Sequence, residues 1–153
     1  MKKIKQFFVF AVSAILAVGT LSAFVACEGG TDEKTSEYEV VVSTEELVVV
    51  KANEANVDAT LYSVMVQLQT EGKLTFTESN GFISSVNGVE NPADYSSCWM
   101  IYTDLERFND VVYATTEYGS YTYENKTYAS AAYGAKELPV IGGYTYILHY
   151  DTF

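Results

Sequence analysis

The chain after residue 37 alternates short apolar runs with polar turns, a pattern that is typical of a β-rich domain. Two segments near its start, Tyr38–Val42 and Leu47–Lys51, are rich in β-branched residues and predict strands. Four polar residues separate these strands, so a hairpin is one arrangement that the spacing allows.

One amphipathic helix is predicted next. Its apolar residues recur every three or four positions, at Leu61, Val64, Met65 and Leu68. Asp58 is the predicted N-cap, and Gly72 suits the position just past the last turn. The segment therefore predicts a helix of about four turns, whose apolar stripe covers one face of a sheet.

Five further segments predict strands: Lys73–Glu78, Phe82–Val86, Cys98–Tyr102, Val111–Thr115 and Tyr144–Tyr150. Tyr121–Tyr123 and Thr127–Ala129 predict a hairpin with exposed tyrosines. In the last strand, alternation places Tyr144, Tyr146, Leu148 and Tyr150 on one face and the residues between them on the other. The predicted fold class is α+β: a small mixed β-sheet, grasp-like in its simplest arrangement, packed on one amphipathic helix.

The N-terminus predicts an exported and lipid-anchored protein. Three lysines precede the apolar run Phe7–Val18, which is the pattern of a secretory signal. The end of this segment resembles a bacterial lipoprotein signal, with Cys27 as the acylated residue and Phe24 where that signal usually has Leu. A plain secretory signal with an incidental cysteine is the alternative. The predicted organisation is a signal peptide over residues 1–26, a flexible tether over 27–37 and a domain over 38–153, at the outer face of a bacterial membrane.

Charge and cysteine content narrow the classes of partner. Without the three N-terminal lysines, six basic and 20 acidic residues remain, a net charge of −14. This acidic balance argues against nucleic acid as a partner. If Cys27 is acylated, Cys98 is the one cysteine left, so an internal disulfide is not expected.

The chain offers little catalytic chemistry, and we predict that it is not an enzyme. Cys98 stands in an apolar strand, and the single histidine, His149, is more typical of a structural residue than of a base or a metal ligand. Asp104, Glu106 and Asp110 supply the oxygens that Ca²⁺ prefers, but without the spacing of a calcium loop. No metal site and no definite cofactor are predicted.

Tyrosine is the more informative residue type. Eleven of the 13 tyrosines follow residue 90. Tyrosine combines a flat apolar ring with a polar tip, which suits the binding of sugars, planar ligands or proteins. High β-propensity alone would also explain this content. Both explanations remain open at this stage.

The segment Gly81–Gly88, with the strand Cys98–Tyr102, resembles the C-terminal domain of the transcobalamin and intrinsic factor family and its bacterial relatives. The order of motifs in that family is an amphipathic helix, a strand, a Gly-Phe-Ile-x-Ser-Ile-Asn-Gly-like segment, a Tyr-Trp-x-x-Tyr-like strand, a Gly-containing segment and a final strand after a glycine turn. Here the helix is Leu61–Gly72, and the last two motifs are Gly134–Val140 and Gly142–Tyr150. Cys98 departs from the family's aromatic residue, and Thr103–Tyr133 is longer than the family's loop.

The resemblance implies the fold of that domain and, as a hypothesis, non-covalent capture of cobalamin or another corrinoid. The family's vertebrate carriers hold the ligand between this domain and a helical domain that has no counterpart here. The resemblance therefore implies either binding by this half alone or a protein partner that supplies the other half. It places the ligand at Phe82, Ser84, Asn87, Trp99, Tyr102 and Tyr144. The alternative function is a cell-surface protein-interaction or scaffold module that uses the tyrosine-rich hairpin.

Overall fold

A computed structural model of the chain describes residues 37–53 and 59–153. The predicted signal segment, the lipidation site Cys27 and the predicted helix cap Asp58 lie outside the described residues, as does the tether up to residue 36. None of the described helices is both long enough and apolar enough to cross a membrane.

The described elements are, in chain order, β1 Tyr38–Ser43, β2 Leu47–Ala52, α1 Leu61–Thr70, β3 Phe76–Ser79, β4 Phe82–Val86, β5 Val89–Glu90, β6 Ser97–Thr103, β7 Arg107–Phe108, β8 Val111–Val112, β9 Ala114–Tyr123, β10 Lys126–Ala131 and β11 Thr145–Thr152. This is a mostly β domain with one short helix, and it confirms the α+β class. The predicted strand Val111–Thr115 is divided between β8 and the start of β9.

The main sheet has six strands in the order β1-β2-β11-β6-β10-β9, beside a three-stranded sheet β3-β4-β5 and the pair β7-β8. Every pairing among the described strands is antiparallel, whereas a mixed sheet was predicted. The reason is that β1-β2 and β9-β10 are hairpins, and the final strand enters between β2 and β6 against the direction of both.

Helix α1 begins two residues later than its predicted cap would require. Thr60 is the N-cap, and it forms a reciprocal capping box in which the Ser63 amide donates to the Thr60 hydroxyl (3.3 Å) and the Thr60 amide donates to the Ser63 hydroxyl (3.0 Å). An isolated antiparallel bridge from Thr60 to Pro139 holds the chain extended up to this point. The helix therefore has ten residues, about three turns rather than four. Gly72 follows its end at φ +72°, as predicted.

The main sheet buries both of its faces. The first face packs on α1, and its cluster includes Leu68, Val48, Trp99, Tyr146 and Leu148. The second face holds a smaller cluster of Val49, Tyr102, Tyr128 and Ile147. Tyr144, Tyr146, Leu148 and Tyr150 all lie with the first cluster, which confirms the alternation predicted for the last strand.

The tyrosine-rich hairpin is confirmed, but Tyr121, Tyr123 and Tyr128 are not exposed as predicted, whereas Tyr118 is. Glu124 and Asn125 form its turn, both at positive φ, as a tight hairpin turn needs. Tyr128 is only 5% exposed, and Tyr121 and Tyr123 are partly buried against the second cluster. These tyrosines cover the sheet face that has no helix, so most of their ring area is used in packing.

Candidate functional site

A cavity of about 740 Å³ lies where the three-stranded sheet meets the edge of β6. Its walls come from β4, from the loop after β5 and from the first half of β6. No charged side chain lines it. The lining residues are Ser79, Asn80, Phe82, Ile83, Ser84, Asn91, Pro92, Ala93, Tyr95, Cys98, Trp99 and Met100.

The cavity exists because β6 has neighbours of unequal length. All seven of its residues pair with β11, but on the other side β10 pairs only with Tyr102 and Thr103. The half from Ser97 to Ile101 therefore has a sheet edge that no described strand covers. This edge faces β4, whose first three residues likewise do not pair with β5.

One side chain, that of Asn91, bridges these two edges. Its Nδ2 donates to the Ile83 carbonyl (2.8 Å), and its Oδ1 accepts from the Trp99 amide (3.0 Å). Its own amide donates to the Ser84 carbonyl (2.9 Å). The carboxamide thus replaces a missing strand partner and holds the cavity open, because each buried backbone group that it satisfies would otherwise need another partner.

Trp99 forms the inner wall and is only 6% exposed. Its indole N–H donates to the Val89 carbonyl (2.9 Å), and its ring packs on Tyr150 with centroids 5.5 Å apart. This residue anchors the core as well as lining the cavity, so its removal would disturb both.

Two aromatic side chains stand exposed at the rim. Phe82 is 78% exposed and Tyr95 is 71% exposed. Tyr95 has φ +54°, a conformation that bulky residues seldom adopt. A turn holds it there: its amide donates to the Pro92 carbonyl (3.0 Å), and the Asp94 carboxylate accepts from the amide and hydroxyl of Ser96. Those hydrogen bonds, the amide first, lower the pKa of Asp94. Backbone strain of this kind costs about 1–3 kcal/mol and tends to collect at functional sites.

The predicted ligand residues divide into two groups. Phe82, Ser84 and Trp99 line the cavity together. Tyr102 lies on the second face of the sheet, because three residues along a strand from Trp99 is an odd step. Tyr144 packs against the first cluster and is not part of the cavity lining.

Asn87 has a structural role outside the cavity. Its carboxamide accepts from the Thr75 amide (3.0 Å) and donates to the Thr44 carbonyl (2.7 Å), which ties the small sheet to the turn after β1. Asn91, Tyr95, Cys98 and Met100 are lining residues that the sequence prediction missed. Asn91 was detectable in principle, since Asn before Pro marks a turn whose side chain bonds to nearby backbone.

Asp104, Glu106 and Asp110 were considered for Ca²⁺ and not predicted as a site, and they do not form a metal-binding group among the described residues. Asp104 accepts from the Lys126 ammonium (2.5 Å) and from the Thr145 amide (2.8 Å), so it links β10 to β11. Within residues 37–53 and 59–153, no three or more His, Cys, Asp or Glu side chains are grouped so that they could hold a metal ion.

A polar cluster lies on the second face, beside the free half of β6. The Asp151 carboxylate accepts from the Tyr102 hydroxyl and pairs with Nδ1 of His149. The Tyr121 ring stacks on the His149 ring with centroids 4.1 Å apart. Burial and, secondly, the bond to Asp151 raise the pKa of Tyr102. The cluster therefore keeps its phenol neutral and its carboxylate satisfied.

A second, more polar groove of about 530 Å³ lies between the β7-β8 pair and β9. Glu106, Arg107, Val112, Glu117 and Tyr118 are among its lining residues. Residues 116–119 have no partner in the pairing of β9 with β10, and they carry Tyr118 outward at 67% exposure.

Comparison with protein-family models, with curated proteins and with solved structures finds no match to this chain.

Proposed function

We propose that the chain is a lipid-anchored extracytoplasmic binding module that captures an uncharged ligand with a flat apolar body in the cavity beside Trp99. The observation that carries this proposal is the cavity itself, with Phe82 and Tyr95 exposed at its rim. Backbone strain tends to collect at functional sites, and Tyr95 carries such strain at this rim.

The chemistry of the lining supports this ligand class. The walls are mainly apolar, and their polar groups are the neutral side chains of Ser84, Asn80 and Asn91. Carboxylates or phosphates would find no cationic partner there, and cations would find no carboxylate. A small number of neutral hydrogen-bonding groups among apolar walls is typical of sites that orient a small molecule.

A corrinoid is the first ligand to test, since the resemblance to the transcobalamin C-terminal domain suggests it. The transcobalamin-like and grasp-like identity of the fold is part of the same proposal. Three residues that the resemblance assigns to the ligand, Phe82, Ser84 and Trp99, line the cavity and support this choice of ligand. A cavity that is open on one side would bind such a ligand by one face, and a protein partner could cover the other face.

The test is a titration of the full chain, carrying Cys27→Ser and held in a mild detergent, with cobalamin and with cobinamide. Trp99 is the only tryptophan, so its fluorescence reports directly on the inner wall. Saturable quenching together with a shift of the corrinoid absorbance is expected. A flat titration of the folded chain would reject stand-alone corrinoid capture.

The matched variants are Phe82→Ala and Tyr118→Ala. Both residues are more than two-thirds exposed, so neither change should disturb the fold, but only Phe82 lines the cavity. We expect Phe82→Ala to weaken binding by about tenfold, the equivalent of one lost aromatic contact, and Tyr118→Ala to leave it unchanged. Equal effects of the two changes would contradict the assignment of the ligand to this cavity.

A protein-interaction module remains the second candidate, with its surface at Tyr118, in the part of the hairpin strand β9 that does not pair with β10. The supporting observation is the outward position of Tyr118 beside the half-exposed Val111 and Val112. The same two variants separate the functions: loss of partner capture with Tyr118→Ala, and not with Phe82→Ala, would favour this candidate.

A further inference from the structure

Two sulfur atoms lie close together at the free half of β6. The Cys98 thiol points to the thioether of Met100, with the two sulfurs 3.6 Å apart. The residues are two apart in a strand, so both side chains lie on the same face. Both are partly exposed and both line the cavity, which leaves this pair accessible to small solutes.

The neighbouring strand β11 places two further polar side chains opposite the two sulfur residues. In the pairing of β6 with β11, Asp151 is the partner of Cys98 and His149 is the partner of Met100. Directly opposed side chains of an antiparallel pair have their Cβ atoms about 4.5–5.5 Å apart. His149 therefore lies opposite Met100 and on the same face of the sheet as the two sulfurs.

The His149 ring is already oriented. Asp151 binds its Nδ1, and Tyr121 stacks on its ring. Nε2 is therefore the ring nitrogen that remains available to a ligand. A carboxylate that holds one imidazole nitrogen while the other faces a metal is a common arrangement in metalloproteins, because it sets the tautomer and the ring orientation.

We propose that Cys98 and Met100 bind a soft monovalent cation, Cu(I), with His149 as the third donor. Thiolate and thioether ligands select Cu(I) over harder ions. Two sulfurs that share one ion at about 2.3 Å each stand roughly 3.8–4.0 Å apart at tetrahedral or trigonal angles, so the observed separation needs only a small adjustment.

The position of the thiol proton supports the same assignment. The Cys98 thiol donates this proton to the Met100 thioether. A cation bound between the two sulfurs would take the place of the proton: the S–H bond breaks, an S–Cu bond forms and one proton leaves.

This site does not depend on the proposed capture of a planar ligand, although Cys98 and Met100 lie in the same cavity wall. It also differs from a hard-ion site, because two of its three proposed donors are sulfur atoms. The sulfur of Met100 is the donor that distinguishes it.

The experiment is an anaerobic Cu(I) titration of the full chain with Cys27→Ser, which leaves Cys98 as the only thiol. Competition with a chromophoric Cu(I) chelator measures affinity, and near-ultraviolet absorbance measures thiolate-to-copper charge transfer. One equivalent is expected to bind with release of about one proton, because the thiol binds Cu(I) as its thiolate.

Met100→Leu is the decisive variant, and Met65→Leu is its control. Both changes conserve volume. Met65 is fully buried on the inner side of α1 and belongs to the first cluster, away from the sulfur pair. Met100→Leu is expected to weaken Cu(I) binding by about tenfold or more, with the thermal midpoint near that of the parent. Cys98→Ser should abolish the charge-transfer band, and His149→Gln should weaken binding.

Two results would overturn the proposal. One is equal affinity of the parent and Met100→Leu, which would mean that Cys98 binds copper as any exposed thiol does. The other is an absent charge-transfer band in the folded parent at one equivalent of Cu(I).

Discussion

The two faces of the main sheet are closed by different means. The first face is covered by helix α1, whose Leu61, Val64, Met65 and Leu68 are all buried. The second face is covered by tyrosines of the β9-β10 hairpin, and at one end it changes into the polar cluster around Asp151. A helix closes its face with aliphatic side chains, whereas tyrosines keep hydroxyls near water and leave room for polar chemistry. Both candidate sites lie at the end of β6 where the second cover is incomplete.

The largest expected effect comes from removing equivalent side chains from the two faces. Leu148 and Ile147 are adjacent in β11, fully buried, and directed to opposite faces. We expect Leu148→Ala to lower the free energy of unfolding by about 3–5 kcal/mol and Ile147→Ala by about 2–3 kcal/mol. The partly buried rings of the second face can move into a cavity more readily than α1 can.

Urea denaturation of both variants, with the parent as reference, measures this difference. Equal losses would show that the tyrosine cover is as rigid as the helix, and the comparison of the two faces would then have to be abandoned.

An effect of intermediate size is expected in alkaline solution. Burial raises the pKa of Tyr102 on the second face and of Tyr146 on the first above the ordinary value near 10. Because the folded pKa is raised, the stabilisation is fully present below pH 10 and is lost as the pH rises through the folded pKa. The free energy of unfolding should then fall by about 1.4 kcal/mol per pH unit for each tyrosine.

Unfolding at pH 8 to 11.5 tests this dependence, with Tyr102→Phe and Tyr146→Phe each expected to remove part of the slope. An unchanged slope in both variants would show that other groups carry the alkaline transition.

The smallest effect concerns the backbone at the cavity rim. Glycine adopts the positive φ of residue 95 without strain, but it also raises the conformational entropy of the unfolded chain. For Tyr95→Gly we therefore expect a net stabilisation of up to about 1 kcal/mol. The same change should weaken planar-ligand binding, since the exposed ring is lost. Thermal unfolding and the corrinoid titration measure the two effects, and a destabilised variant would contradict the inference of strain.

Local features of the fold were predictable because their causes are local. Residue alternation identified β4 and β11, and the apolar spacing of α1 identified its buried stripe. The cap of α1 was missed because Thr60 and Asp58 are both acceptable caps, and only the bridge from Thr60 to Pro139 decides between them. The tyrosine hairpin was recognised, but its burial depends on a sheet face that comes from distant parts of the chain.

The candidate site was half predictable. Phe82, Ser84 and Trp99 lie together in one cavity wall, but Tyr102 was included although alternation along β6 places it on the other face. Here a local rule was available and the resemblance outweighed it. Tyr95 gave no signal, because the strained φ arises from the turn that begins at Pro92.

The sequence by itself determined the positions of most strands, the helix stripe and the acidic, tyrosine-rich character of the domain, because these follow from short-range periodicity and composition. Only the tertiary structure decided that β11 lies between β2 and β6, and that β10 covers only the last two residues of β6. Strand pairing joins residues that are up to about a hundred positions apart, and no local pattern encodes which edge remains free. That free edge creates both the cavity and the sulfur pair beside it.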